Sequence, residues 1–300
     1  MVDVSVVIPT KNRADCIERA MNSVCNQIKY KVEIIIVDDG SSDNTHNIIQ
    51  QYMERNKVAI KYIKNKISMG GAKARNIGAS KALGKYISFL DSDDEWLPSH
   101  LESGIRLMEE SNSKGVFGAF YVQNSEGKLN PNNVRDIPTN MSITDYVLSR
   151  YGDTRTSTFI FETKCFKEVA FDDQQAKHQD WDLTIRFAKK HRLVVNKEKT
   201  VILHYDVSNR MSNSLNHNAT EYFLSKHEKY ANPKSLVNFY LFLLRSTIKF
   251  EGKNNKYYEY QDILDRIIKK NKLSLKYKDN LKRFFLKYMP EKVIRYILIK

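Results

Sequence analysis

Three short stretches concentrate side chains capable of chemistry: Pro9-Thr10-Lys11-Asn12-Arg13, Asp38-Asp39-Gly40-Ser41-Ser42-Asp43 and Asp91-Ser92-Asp93-Asp94. Each follows an apolar run that reads as a buried strand, and in open parallel sheets ligands collect just beyond the carboxyl ends of the strands. Three carboxylates within four residues repel one another unless a cation, solvent or a helix dipole compensates. Hard oxygen ligands suit Mg²⁺ or Mn²⁺, which keep several waters and complete their shell with phosphate oxygens. Taken singly, each acidic stretch also fits a turn whose carboxylates cap the next helix. The residues alone leave both readings open.

The elements that must position these stretches alternate. Residues 4–8 are an apolar run ended by Pro9, which cannot donate to a ladder. Ile17, Met21, Val24 and Ile28 recur at helical spacing. Residues 32–37 form a second buried strand, Ile48, Ile49, Tyr52 and Met53 mark a second helix, and residues 58–63 a third strand. The order strand, helix, strand predicts a parallel sheet. After Gly70-Gly71, residues 72–83 read as a helix stopped by Gly84, and residues 86–90 as a strand running into Asp91. Pro98 opens a further helix with Leu101, Ile105 and Met108 inward. Beyond residue 116 the alternation loosens: strands are expected at 116–122, 157–161 and 201–203, and a helix at 180–191.

Composition narrows the class. A hydrophobic share of 41% and a charged share of 28% are those of a folded soluble chain, which excludes a disordered or collagen-like polymer. The net charge of +14 is localised: residues 220–300 hold 19 Lys+Arg against 8 Asp+Glu, leaving 30 against 27 before them. Cys16, Cys25 and Cys165 have neither zinc-site nor disulfide spacing, as expected in a reducing cytosol. The amino terminus enters a strand pattern directly, so no secretion signal is expected. The longest apolar stretch, residues 236–248, is interrupted and falls short of the roughly 20 residues a membrane span needs.

The three stretches occur in a fixed order. Between the second and third lies Gly70-Gly71-Ala72-Lys73-Ala74-Arg75-Asn76-Ile77-Gly78. Together they resemble family 2 glycosyltransferases, strongly over residues 3–100 and more loosely to about 215. The resemblance implies a GT-A type α/β fold, a mixed, mainly parallel nucleotide-binding sheet flanked by helices, with a mostly helical C-terminal extension. The implied division is a glycosyltransferase domain at 1–219, split into a nucleotide-sugar half (1–100) and an acceptor half (101–219), and a basic extension at 220–300. It further implies a hexosyltransferase whose UDP-sugar is lined by Pro9, Thr10, Asn12, Arg13, Asp38, Asp39, Arg75, Asp91 and Ser92. Asp39 would accept from the ring N–H of uracil, which cytosine lacks. Mn²⁺ or Mg²⁺ would sit at Asp91, Asp93 and Asp94, with His204 as a further candidate and Tyr205, Arg210 and Ser212 near the diphosphate.

His178-Gln179-Asp180-Trp181-Asp182-Leu183 resembles the family's Glu-Asp-Trp-Asp/Glu-Leu motif, with Gln179 departing from the usual Glu. Asp180 falls at the general-base position, which implies single displacement with inversion. A helix N-terminal carboxylate held by the macrodipole is the other reading of Asp180. Trp181 and Asp182 fall on the acceptor side; Trp181 stacks on sugar or fills core, and Asp182 meets the acceptor or orients the loop.

In the tail, Phe284, Phe285, Tyr288, Met289, Val293, Ile294, Ile297 and Leu298 interleave with Lys282, Arg283, Lys287, Lys292, Arg295 and Lys300. Such helices lie on anionic membranes or pack their apolar face on the domain. With the resemblance, this points to a lipid-linked glycan acceptor in bacterial O-antigen or capsule synthesis, and to a cytoplasmic enzyme peripheral at the inner face of the plasma membrane. No nucleic-acid partner is expected, since no recognition module accompanies the positive tail. A sugar-phosphate nucleotidyltransferase would need a Gly-rich loop where Pro9-Thr10-Lys11-Asn12-Arg13 stands. A non-catalytic nucleotide- or glycan-binding protein is the other alternative.

Overall fold

The computed structural model describes residues 1–56, 58–205 and 214–299. They fall into two compact units, residues 1–137 with 153–208, and residues 138–152 with 209–300. Arg210, Ser212 and Lys300 lie outside the described residues, as does the side chain of Leu298.

In chain order the elements begin with β1 (Val4–Thr10), α1 (Ile17–Cys25), β2 (Val32–Asp38), α2 (Thr45–Arg55), β3 (Ala59–Lys64) and α3 (Gly71–Ser80). Next come β4 (Tyr86–Phe89), β5 (Asp94–Trp96), α4 (His100–Glu110), β6 (Gly115–Gly118), β7 (Phe120–Gln123) and β8 (Leu129–Asn132). After α5 (Ile143–Leu148), which belongs to the second unit, follow β9 (Ile160–Glu162), α6 (Thr163–Lys167), α7 (Gln179–Ala188), β10 (Leu193–Asn196) and β11 (Val201–His204).

Seven strands form one sheet in the order β10-β6-β9-β4-β1-β2-β3, all parallel except β9. Four more form a smaller sheet in the order β5-β11-β7-β8. This is the mixed, mainly parallel sheet expected. Val6, Val7 and Ile8 on β1 and the run 34–37 on β2 are wholly buried, because central parallel strands are covered on both faces. Each such side chain contributes about 1.5–3 kcal/mol relative to exposure.

Local differences from the sequence reading have identifiable causes. The helix α1 ends at Cys25, so Ile28 lies past its end and is exposed rather than on the inner face. Residues 116–122 are two strands in different sheets. The break falls at Ala119, just after Gly118, where an added Cβ would stand 2.7 Å from the Asn196 carbonyl oxygen. The strand expected from residue 157 starts only at Ile160, after a 3₁₀ turn at Thr156–Thr158.

The second unit is helical: α5, α8 (His217–His227), α9 (Pro233–Phe250), α10 (Asn255–Lys270), α11 (Tyr277–Tyr288) and α12 (Glu291–Ile299). A division at 219/220 would cut α8, whose N-cap is Asn216, its side chain accepting from the Ala219 amide at 2.9 Å. Residues 138–152 belong to this unit because Asp145 on α5 accepts from the Asn232 amide at the start of α9, 2.7 Å. Among the described residues no helix is long and apolar enough to cross a membrane.

Candidate active site

The strands β4, β1 and β2 are adjacent and parallel, so their carboxyl ends share one edge of the large sheet. That edge brings together Thr10, Asp38 and, two residues after β4, Asp91. The loops after β1 and β2 are tied to each other. The Asn12 amide donates to Ser41 Oγ (2.9 Å), Asn12 Oδ1 accepts from the Ser42 amide (2.8 Å), and the Arg13 amide donates to Thr45 Oγ1 (2.8 Å). Asn12 holds a left-handed backbone (φ 52) to make this turn, a conformation Asn tolerates better than most residues. Pro9 is half-buried, Thr10 buried, Asn12 exposed. Thr10 Oγ1 has no hydrogen-bond partner among the described residues, an unusual state for a buried hydroxyl and one that a ligand at this edge would relieve.

The two neighbouring aspartates do different work. Asp38 accepts from the Ser41 amide and the Tyr62 hydroxyl, each at 2.7 Å. Asp39 accepts from Asn65 Nδ2 (2.9 Å), the Met69 amide (2.7 Å), Ser68 Oγ (2.7 Å) and the Gly70 amide (2.8 Å). A carboxylate has about four acceptor sites, so Asp39 is saturated by the loop it ties to β2, and a uracil N–H would have to replace one of these donors. Gly70 turns there with φ 89, which a side chain would strain. Burial alone would raise the Asp39 pKa, but the Met69, Ser68, Asn65 and Gly70 donors outweigh it and hold the carboxyl below its ordinary value. A depressed folded pKa gives stability that is present above the unfolded value and lost as pH falls through the folded one. Asp39→Asn turns two acceptors into donors facing donors. We expect about 1.5–3 kcal/mol lost at neutral pH, read by thermal melts, with a smaller further loss on acidification than the native chain shows.

The helix α3 carries the next contributor. Gly78 packs so closely on the sheet that an added Cβ would meet Val7 Cγ1 at 2.4 Å, which fixes the helix against β1. Arg75 then reaches the strand ends, its guanidinium pairing with Asp91 and donating to Gln179 Oε1 at 2.7 Å. The adjacent Asn76 clamps the turn before α7, donating to the Phe171 carbonyl (2.8 Å) and accepting from the Phe171 amide (3.0 Å). Consecutive residues of one helix thus hold the segment that delivers Asp180.

The carboxylates of the acidic stretch point to separate partners. Asp91 pairs with Arg75, and Asp94 accepts from Ser157 Oγ at 2.6 Å. Ser92 and Asp93 are buried, and the Asp93 carbonyl accepts from Arg19 at 2.9 Å. His204 Nε2 lies 3.1 Å from Glu95 Oε2. Among the described residues, Asp91, Asp93, Asp94 and His204 therefore do not converge as a group of three ready ligands. Asp91, Asp94 and His204 are engaged by Arg75, Ser157 and Glu95 respectively. Their chemistry still fits Mg²⁺ or Mn²⁺, which needs only one or two carboxylates when phosphates complete the shell. The group whose ligand atoms lie within 4.8 Å of one another is Cys165, Glu168 and His191, near the start of β4 rather than its carboxyl end.

At the start of α7, His178 takes a left-handed backbone (φ 62) and stacks on Trp181 with ring centroids 4.3 Å apart. Trp181 is buried with that face covered. Asp180 is half-buried, its Oδ1 accepting from the Trp181 amide at 3.0 Å. Asp182 is wholly buried and paired with Arg186, 2.7 Å, which also binds the Val169 and Ala170 carbonyls. Through Arg186 the Asp182 carboxylate is tied to the loop before α7.

Residues not anticipated from sequence complete the site. Ser157 donates to Asp94, accepts from the Asp91 amide (3.1 Å), and its carbonyl accepts from Trp96 Nε1 (2.7 Å). Burial works against the Arg155 charge, but Asp153, with which it pairs at 2.8 Å, and the charges of Tyr205 and Asp180 outweigh it and push its pKa up. Ser157 lies more than sixty residues from its partners, and no local pattern signals it.

A sheet of this order is that of GT-A architecture, and solved structures of that architecture superpose on the chain. The Staphylococcus aureus TarS 1–349 crystal structure with UDP-GlcNAc matches with a TM-score of 0.60 at 19% identity, covering 99% of this chain and 79% of that one. GalNAc-T7, crystallised with UDP, GalNAc and Mn²⁺, matches with a TM-score of 0.60 at 16% identity over 90% of this chain and 56% of the other. The profile of Glycosyl transferase family 2 matches residues 5–173, and the chain belongs to that family. The amylovoran biosynthesis glycosyltransferase AmsB of Erwinia amylovora is 30% identical over 63% of this chain and 64% of its own length. The Escherichia coli UDP-Glc:alpha-D-GlcNAc-diphosphoundecaprenol beta-1,3-glucosyltransferase WfgD is 34% identical over 41% of this chain and 47% of its own. The chain thus spans less than two thirds of both curated relatives. Family membership favours sugar transfer over the nucleotidyltransferase and non-catalytic alternatives.

Proposed function

We propose that the enzyme transfers a sugar from a UDP-sugar to a hydroxyl of a lipid-linked glycan acceptor, with inversion, during surface polysaccharide synthesis. The observation that carries this reading is the Arg75 bridge, which joins Asp91 at the end of β4 to Gln179, the residue before Asp180. It couples the edge suited to a diphosphate to the carboxylate suited to a base. Pro9, Thr10, Asn12, Arg13, Asp38, Asp39 and Ser92 line or shape the nucleotide side, with the orphaned Thr10 hydroxyl facing the donor. The Asp180 carboxylate takes the acceptor hydroxyl's proton as that oxygen attacks the anomeric carbon. The carbon–oxygen bond to UDP breaks on the opposite side and its electron pair leaves with the β-phosphate. Arg75 and Arg155 offer fixed positive charge near these groups. Asp93 and Asp94 would hold Mg²⁺ or Mn²⁺, which when bound supplies Lewis-acid stabilisation of the leaving diphosphate. Trp181 supports the acceptor side through its packing beneath His178. The diphosphoundecaprenol acceptor in the WfgD name, and amylovoran biosynthesis in the AmsB name, support a lipid-linked glycan acceptor.

Calorimetric titration with UDP tests the nucleotide and metal part. We expect binding strengthened by Mn²⁺ or Mg²⁺ in the native chain, and that strengthening lost in Asp93→Ala. Equal binding with and without metal in both proteins would contradict the metal site.

A further inference from the structure

The helix α11 turns its aromatic stripe outward. Tyr277, Leu281, Phe284 and Tyr288, spaced four, three and four, lie on one face and are 82%, 52%, 56% and 65% exposed. At about 100° per residue, the buried Leu286 stands on the opposite face. That face is anchored within the second unit: the Tyr257 hydroxyl donates to the Leu286 carbonyl at 2.6 Å, and Arg283 and Lys287 pair with Asp265, each at 2.8 Å. α12 repeats the arrangement, with Ile294 buried and Val293, Tyr296 and Ile297 exposed. The stripe is therefore not the packing face of its helix.

The charges beside it indicate the occupant. Residues 266–300 contain 12 Lys+Arg and, as acids, only Asp279 and Glu291. Those two acids pair with Lys282 and Arg295. Lys272, Lys276, Lys278 and Lys292 are exposed, and no acidic partner of theirs occurs among the described residues. A second copy of the same face would meet like charge. An anionic lipid surface supplies both what the lysines attract and what the apolar stripe requires, and Tyr and Phe favour the depth where headgroup meets acyl chain.

We propose that the outer faces of α11 and α12 are the membrane-contacting surface of this enzyme, with Tyr277, Leu281, Phe284 and Tyr288 entering the headgroup boundary of an anionic leaflet and Lys276, Lys278 and Lys292 binding its phosphates. This rests on the reading that the acceptor is presented at a membrane.

The test is co-sedimentation of the full chain with phosphatidylcholine vesicles, pure or mixed with equal phosphatidylglycerol, with UDP release from the donor measured on the same preparations. The native chain should partition at least about tenfold more onto the anionic vesicles, falling with salt. Phe284→Ser with Tyr288→Ser should lower that partition about tenfold or more while leaving donor turnover intact. Lys276→Glu with Lys278→Glu and Lys292→Glu should abolish the preference for phosphatidylglycerol. Native binding that the serine pair leaves unchanged would overturn the stripe but keep the membrane reading. Native protein that releases UDP yet binds neither vesicle would overturn both. Loss of self-association in the serine pair, or capture by an oligonucleotide in place of vesicles, would overturn the lipid assignment.

Discussion

Asp180→Asn lowers sugar transfer by about 10²–10⁴-fold while leaving UDP binding at its native strength. The amide matches the carboxylate in size and still offers one oxygen to the Trp181 amide, 3.0 Å away, so the start of α7 keeps its shape. What disappears is the capacity to take a proton. The alternative reading, an acidic residue held at a helix N-terminus by the macrodipole, predicts a different outcome: a cost of about 0.3–1 kcal/mol in stability and little change in rate. Arg155 sharpens the contrast. Asp180 is one of the charges that raise its pKa in the native chain, and the variant would leave it with one fewer anion. Transfer kinetics and thermal melts on the same preparations separate the two readings, since only the base reading gives a large rate loss with a near-native melt.

Arg75→Ala removes a group that acts at both ends of the site. Its guanidinium is buried between Asp91 and Gln179, 104 residues away from the latter in sequence. Losing it frees Asp91 from its ion pair and lets the segment that carries Asp180 relax. A displacement of about 1 Å of a reacting group costs on the order of 10²-fold, so kcat should fall by that amount. Stability should fall by about 1–3 kcal/mol, less than for a fully buried pair because Asp91 is one-third exposed. Arg75→Lys restores the charge without the planar fork, and should recover stability more than rate. A positioning role predicts that kcat falls more than KM rises. A purely structural role predicts that both variants recover full activity once folded protein is counted.

The neutral Gln179 has a place in this scheme. With Glu there, Arg75 would divide its charge between two carboxylates; with Gln, Asp91 is its single anionic partner among the described residues and Gln179 contributes an oxygen only. The departure from the family motif therefore leaves the Arg75 charge to Asp91, beyond the end of β4.

How much of this was legible in the sequence depends on distance along the chain. The β1, β2 and β4 strands were readable because central parallel strands need unbroken apolar runs, and the residues after them because strand ends are where such sheets bind ligands. The parallel order followed from alternation alone. The short strand β5 was not readable: three residues, Asp94 to Trp96, inside an acidic stretch, are held as a strand only by β11, over a hundred residues later. The same is true of Ser157 and Arg155, whose roles arise from where the chain returns. Asp39 was found but its work was not, because four donors from residues 65–70 give no local sign of their target. In the tail, spacing revealed amphipathic helices, whereas which face turns inward depended on Tyr257 and Asp265 on a neighbouring helix.

Whether a UDP-sugar is the donor is tested by nucleotide release from a panel of UDP-, GDP- and dTDP-sugars by the native chain, with Mn²⁺, Mg²⁺ or neither. Slow, metal-dependent release of UDP from one UDP-sugar is expected, and none from donors carrying the other nucleotides. Release from a GDP- or dTDP-sugar alone, or from no donor under any metal, would contradict it.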